Sequence, residues 1–170
     1  MRYWLTVHYP RLGDGEPRHP LRVWLQDGRE APGRDLSLGD RVFVYETKTG
    51  PSRWHVEPSG ARRKVRPTRG HQGIVTVGEV LGPLQTDPTI LRHEYSDGVT
   101  RWWRWIVPLN AVHSNRLVPL SDLNRVLGFQ PGSRLRGFGK KSSGLGELTA
   151  AQSAELLELY EKSPLRDGPR

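Results

Sequence analysis

GIVTVGEVL, residues 73–81, is a nearly unbroken β-branched run closed by Gly82-Pro83. β-Branched side chains are stiff in a helix and fit a pleated sheet, and a run with little polar alternation reads as a strand covered on both faces. A central strand needs partners, and the flanking sequence supplies them. Arg41 to Glu46 (RVFVYE) follows the turn Gly39-Asp40, and Tyr3 to Tyr9 combines aromatic and β-branched residues before Pro10 breaks it. Leu21 to Leu25 is a short apolar run around Trp24. On the other side, Val99 to Val107 (VTRWWRWIV) reads as one strand, introduced by Asp97-Gly98 and closed by Pro108. Residues 10–20, 28–33, 47–72 and 84–98 read as polar connections, and 47–72 is long enough to be functional rather than incidental.

Helical signals come late. Ser121 is placed to cap a short helix carrying Leu123, Val126 and Leu127, with Gly128 as its stop. Thr149 and Gln152 form a capping box ahead of SAELLELYEK, in which Leu156, Leu157 and Tyr160 share a face. The expected architecture is α+β: one domain over residues 1–163, built on a small mixed β-barrel with flanking helices, and a frayed tail at 164–170.

The 170 residues hold no cysteine, which excludes a disulfide framework and a thiolate metal site. No apolar run approaches the ~20 residues of a membrane span, and MRYWLTVHYP lacks the layout of a signal peptide. A cytoplasmic location and no membrane partner are the expectation. The formal charge is +8, carried by 21 Arg and 5 Lys, so a polyanion is the first partner to consider. The excess is concentrated. Residues 61–78 hold five basic and no acidic side chains, and residues 121–146 hold five basic and one acidic. Both segments contain Gly, Pro or Ser, read as loops, and suit a phosphate backbone.

Motifs for catalysis are absent. The histidines at 8, 19, 55, 71, 93 and 113 form no H-x-x-x-H pair, so neither a metal nor any other cofactor is implied. Gly137 to Ser142 departs from a P-loop, since Arg134 stands where its first glycine belongs and Lys141 where Ser or Thr belongs. His93 and Glu94 are adjacent, and strand alternation points them to opposite faces. The six tryptophans carry more information. Trp4 and Trp105 suit the core, while Trp24, Trp54 and Trp102 sit at strand ends or in loops where ligand contact and packing are equally open. Alternation sets Trp103 with Trp105 on one face and Trp102 with Arg104 on the other, an aromatic-plus-arginine surface suited to bases and phosphates.

The ordered set RYWLTVHYP, LSLGDRVFVYE, GHQGIVTVGEVLGP, RWWRWIVPLNAV and LGELTAAQSAELLELYEK resembles the EVE domains over most of the chain. These belong to the PUA-like superfamily with the YTH domains and the thymocyte nuclear protein. The resemblance implies an aromatic pocket that accepts a flipped, modified base, most often a modified cytosine in DNA. It places Trp24 as one pocket wall and leaves Tyr95, Trp102 and Trp103 as candidates for the second. Where the family often has Lys-Ser-Glu-Pro, this chain has Val7-His8-Tyr9-Pro10, which makes His8 the natural reader of the base edge. The expected base-binding set is therefore His8, Trp24, Gln26, Trp54, Tyr95, Trp102 and Trp103, and the phosphate-binding set is Arg62, Arg63, Arg69, Lys140 and Lys141. The function implied is a non-catalytic reader of modified DNA, with an effector nuclease as a partner the sequence does not name. A PUA-like protein acting on structured or modified RNA is the rival reading, and a nucleotide-processing enzyme a third.

Overall fold

A computed structural model describes residues 1–13, 19–87 and 92–166. Its centre is β6 (Gly73–Val80), flanked by β3 (Arg41–Glu46) and β10 (Trp105–Pro119), with β1 (Tyr3–His8), β2 (Arg22–Leu25) and β11 (Leu145–Glu147) outside them. The order across the sheet is β11-β1-β3-β6-β10-β2, and β7 (Gln85–Thr86) adds to β10. Among the described residues only β1 and β3 run parallel, from Tyr3 beside Arg41 to His8 beside Glu46. Two hairpins stand apart from the sheet: β4 (Arg53–Val56) with β5 (Arg62–Val65), and β8 (Arg92–Glu94) with β9 (Thr100–Trp102).

The sheet curls, and its two faces build two cores. Trp4, Val42, Val44, Val80, Val107 and Leu109 pack with Val23 and Leu25 from one edge and Leu145 from the other. Side chains from opposite edges meet in one cluster only if the sheet wraps around them, so this is the barrel interior. The convex face carries Leu5, Phe43, Tyr45, Ile74 and Val77, covered by α1 (Leu120–Leu127) and α2 (Ala150–Lys162) through Leu123, Leu156 and Tyr160. The capping box forms as read: the Gln152 N–H donates to Thr149 Oγ1 at 3.2 Å and the Thr149 N–H to Gln152 Oε1 at 2.9 Å. Thr149→Ala is expected to cost about 1 kcal/mol, visible as a lower urea midpoint with an unchanged slope.

Several local expectations are corrected. Residues 47–72 are not a continuous loop, because 53–65 forms the β4–β5 hairpin; Arg62, Arg63 and Lys64 of the first basic segment lie on β5, and Arg66 and Arg69 follow it. The connection 84–98 contains β7 and β8, with residues 88–91 outside the described ones. The strand expected over 99–107 is broken at Trp103-Arg104. There the carbonyl of Trp102 accepts from the Asp27 N–H and that of Arg104 from the Asp87 N–H, so the backbone is pulled out of the ladder. Pro108 does not close the strand. It pairs with Arg22, and its carbonyl accepts from the Leu81 N–H. Helix α1 starts at Leu120 behind Pro119, without a side-chain cap from Ser121, and ends at Gly128 in the left-handed conformation, φ 74°. The tail is anchored further than 163. Leu165 bridges Arg116, and the Arg166 N–H donates to the Asn115 carbonyl. Residues 14–18, within the connection 10–20, and 167–170 lie outside the described residues.

Candidate nucleic-acid interface

Strand alternation fixes what faces the barrel interior at the end of β1. Trp4 lines the interior core, Thr6 is 1% exposed, and His8 follows on the same face. On β3, Val42 and Val44 line that core, and Glu46 follows beside His8. The mouth of the barrel thus carries an imidazole and a carboxylate. Glu46 Oε1 accepts from the His71 N–H at 2.8 Å and lies 2.7 Å from His71 Nδ1. His8 has no such support: its Nε2 is shut off from solvent and has no hydrogen-bond partner among the described residues. Burial lowers its pKa from 6.5 to about 4, so the ring is neutral at pH 7.

That lowered value has a consequence for folding. The unfolded chain takes up a proton near pH 6.5 and the folded chain does not, so this stability is complete above pH 6.5 and is lost as the pH falls towards 4. The loss amounts to as much as about 3 kcal/mol. Urea denaturation from pH 7.5 to 4.5 is expected to show this decline in wild type, and to show less of it in His8→Gln.

Aromatic rings gather around Tyr9, the residue that follows His8. Tyr9 meets Trp103 edge-on at 6.2 Å between centroids, and Trp103 Nε1 donates to Tyr95 Oη at 2.9 Å. The Arg101 guanidinium lies 4.8 Å from the Tyr95 ring and 5.9 Å from the Tyr9 ring, and is held by Asp97 at 3.1 and 2.6 Å. Arg53 bridges Tyr95 through the backbone and brings the β4–β5 hairpin alongside. On the other side of the break, the Asp27 N–H bonded to Trp102 places the Gln26-Asp27 turn against the same segment. Asp27 Oδ1 accepts from Trp105 Nε1 at 3.2 Å.

Of the expected base-binding residues, Tyr95 and Trp103 come together with Tyr9, the residue that follows His8 in the chain, and Gln26 lies beside Trp102 through Asp27. Trp24 lies on the opposite face of β2 from Val23 and Leu25, with His19 edge-on at 5.6 Å. Trp54 is carried on the hairpin. A shared pattern covers most of these rings. Arg22 sits 4.9 Å from Trp24, Arg62 4.8 Å from Trp54, Arg101 4.8 Å from Tyr95 and Arg104 4.9 Å from Trp102. Each of these arginines is also paired with a carboxylate: Asp87, Glu94, Asp97 and Asp27 respectively. Trp103 alone among the candidates for the second wall carries no cation over its ring among the described residues. Two shallow concavities lie elsewhere among the described residues. One of about 450 Å³ is lined by Phe129 and residues 133–139, and one of about 390 Å³ lies between the amino terminus and α2.

The expected phosphate contacts divide. Arg62 pairs with Glu94 at 2.9 Å and Arg63 with Glu57 at 3.1 Å, whereas Arg69, Lys140 and Lys141 are exposed and have no ion pair among the described residues. Sequence reading missed Tyr9, Glu46, His71 and Arg101. Tyr9 directly follows His8 before the strand-breaking Pro10, and Glu46 ends β3 opposite it, so pairing β1 with β3 in register was the signal for both. Among the described residues, no group of His, Asp and Glu is arranged to hold a metal ion, and no helix is long and apolar enough to cross a membrane.

No family model matches the chain, and no curated protein sequence does. Solved structures do. Human THYN1, crystallised in complex with 5-methylcytosine-containing DNA, aligns over 96% of this chain and 100% of its own, with a TM-score of 0.51 at 15% identity. The shared fold is a small α+β one of the PUA-like kind. A hypothetical protein from Leishmania major shares the fold over 95% of this chain and 96% of its own, with a TM-score of 0.51 at 16% identity. At this level of identity the likeness concerns the backbone, and the ligand has to be argued from the side chains.

Proposed function

We propose that this protein binds DNA carrying a modified cytosine and reads the base without altering it. The observation that supports this most is the buried, unpartnered Nε2 of a neutral His8 at the end of β1, next in the chain to Tyr9, whose ring meets Trp103. A buried polar atom without a partner costs free energy, and a base edge that reaches Nε2 once the groups covering it move aside recovers that cost. The Watson–Crick edge of cytosine carries both donors and acceptors, and a neutral imidazole nitrogen complements either according to its tautomer. Trp103 and Tyr9 offer π-surface for stacking and apolar contact for a 5-methyl group. Extrusion of a base costs a few kcal/mol, comparable with the ~1–3 kcal/mol of stacking on an aromatic side chain. That THYN1, of the same fold, was crystallised with 5-methylcytosine DNA supports the choice of base. Trp24 enters this reading as an outer plate, reached when Arg22 moves off its ring.

The test is a competition panel at fixed salt, using matched duplexes with cytosine or 5-methylcytosine, the same strands single, and an RNA duplex. The expected result is tighter binding to the methylated DNA duplex and recovery of every oligonucleotide intact. Equal affinity for methylated and unmethylated duplexes would refute the base reading. Preference for RNA would move the site to another nucleic acid, and a new product would make the protein an enzyme.

A further inference from the structure

The positive charge of this protein does not all face outward in the same condition. On the β4–β5 hairpin, Arg62 and Arg63 are already neutralised by Glu94 and Glu57, and Arg62 and Lys64 lie over the Trp54 ring. The segment 129–144 is different. It contains Arg134, Arg136, Lys140 and Lys141 and no acidic residue. All four are exposed, and none has an ion pair or hydrogen-bonded side chain among the described residues. Arg134 and Arg136 line the ~450 Å³ concavity, together with the backbone of Gly137 and Gly139.

The segment is held in place from beneath. Leu135 is 6% exposed and belongs to the convex-face core, and Phe138 packs against it. Asn124, wholly buried on α1, donates from Nδ2 to the Ser133 carbonyl at 2.9 Å. The Gly144 N–H returns to the Phe138 carbonyl at 2.8 Å. Gly137 and Gly139 have φ of 72° and 82°, and a Cβ on Gly139 would lie 2.3 Å from the Leu145 carbonyl oxygen, so only glycine allows this close approach. Two further bonds fix the segment beside the barrel mouth. The Val7 N–H donates to the Gly144 carbonyl at 2.8 Å, and Arg29, in the turn after β2, donates to the Ser142 carbonyl at 3.1 Å. The cations thus ride on an ordered frame attached to the residue that precedes His8.

We propose that the 133–142 segment is the main grip on the phosphodiester backbone, and that Arg62 and Arg63 are not. The ligand is duplex DNA, which rests on the reading under Proposed function. Four unpaired cations on an ordered, concave segment bind phosphates without first breaking an ion pair. Arg62 and Arg63 each have a carboxylate beside them, which lowers the positive potential that a phosphate meets there. Binding through the segment releases counterions, and each phosphate neutralised contributes about 0.9 to the slope of log K against log salt.

The experiment uses the full chain and an unmodified DNA duplex, titrated from 50 to 300 mM NaCl. The variants are the quadruple Arg134→Gln, Arg136→Gln, Lys140→Gln, Lys141→Gln and the pair Arg62→Gln, Arg63→Gln. The quadruple variant is expected to reduce the slope by about two to four, while the pair changes it by less than about one. A companion variant with Arg134→Lys and Arg136→Lys retains the charge and is expected to keep the wild-type slope. This separates lost phosphate contact from a misfolded segment. A quadruple variant with the wild-type slope would overturn the proposal, as would a pair that removes as much slope as the quadruple. Loss of slope on an RNA duplex but not on DNA would overturn its assignment to DNA. Wild type that ignores methylation while the quadruple variant still loses slope would keep the grip and remove the base reader.

Discussion

Asp40→Ala is expected to destabilise the fold by about 3–5 kcal/mol and to lower Tm by about 10 °C. Asp40 is 2% exposed and ties three chain segments together. Its carboxylate accepts from the Arg2 N–H at 2.8 Å, from Trp4 Nε1 at 3.1 Å and from the Ser37 N–H at 3.0 Å, with the Arg2 guanidinium at 3.4 Å. Truncation leaves an indole N–H in the barrel core and two backbone donors without their acceptor. Each such loss costs more than a hydrogen bond contributes when made, because the remaining group stays desolvated. Asp40→Asn keeps an acceptor oxygen and is expected to lose about half as much. Burial by itself would raise the Asp40 pKa, but the two backbone donors, the indole and Arg2 together hold it below the usual carboxylate value. This stability is present above the ordinary carboxylate pKa of about 3.8 and is lost as the pH falls through the lower folded value. The His8 effect acts between pH 6.5 and 4, so the two acid phases separate. The Asp40→Asn variant removes only the lower one.

Trp103→Ala is expected to weaken binding to a methylated duplex by about 10- to 100-fold, and to reduce preference over the unmethylated duplex with it. The magnitude follows from the loss of one stacking surface. Trp103 is singled out because Arg101 and Arg104 lie over Tyr95 and Trp102, while its own ring meets Tyr9 only by an edge. Trp103→Phe keeps a ring but loses the bond to Tyr95 Oη, and is expected to retain most of the preference. Binding measured by fluorescence anisotropy on the same pair of duplexes checks both variants. Wild-type affinity in Trp103→Ala would take this ring out of the site.

How much of this was readable in the sequence depends on what decides each element. β6 and β3 were clear because Val, Ile, Phe and Tyr in an extended chain serve two buried faces, and the capping box of α2 was clear because its hydrogen bonds are local. The β4–β5 hairpin was hidden: RWHV and RRKV are mostly polar and exposed, and the strands exist by pairing with each other and docking on Tyr95. The break at Trp103-Arg104 was equally hidden, since every residue around it favours a strand. What interrupts it comes from remote partners, Asp27 and Asp87. The same limit applied to the site. His8 could be picked out only through the family resemblance, by the Val7-His8-Tyr9-Pro10 that replaces its usual residues, whereas the arginines covering Trp24, Trp54, Tyr95 and Trp102 depend on tertiary neighbours that spacing does not reveal.

The most direct test of the account is to follow the imidazole ¹⁵N and ¹³C resonances of His8 by NMR during titration with 5-methylcytosine duplex and with its unmethylated counterpart. Nε2 of a neutral His8 meeting the base edge predicts a large shift of the Nε2 resonance with the methylated duplex, reached at lower concentration than with the unmethylated one, and lost in His8→Gln. Saturating binding of the methylated duplex with the His8 imidazole resonances unmoved would contradict it.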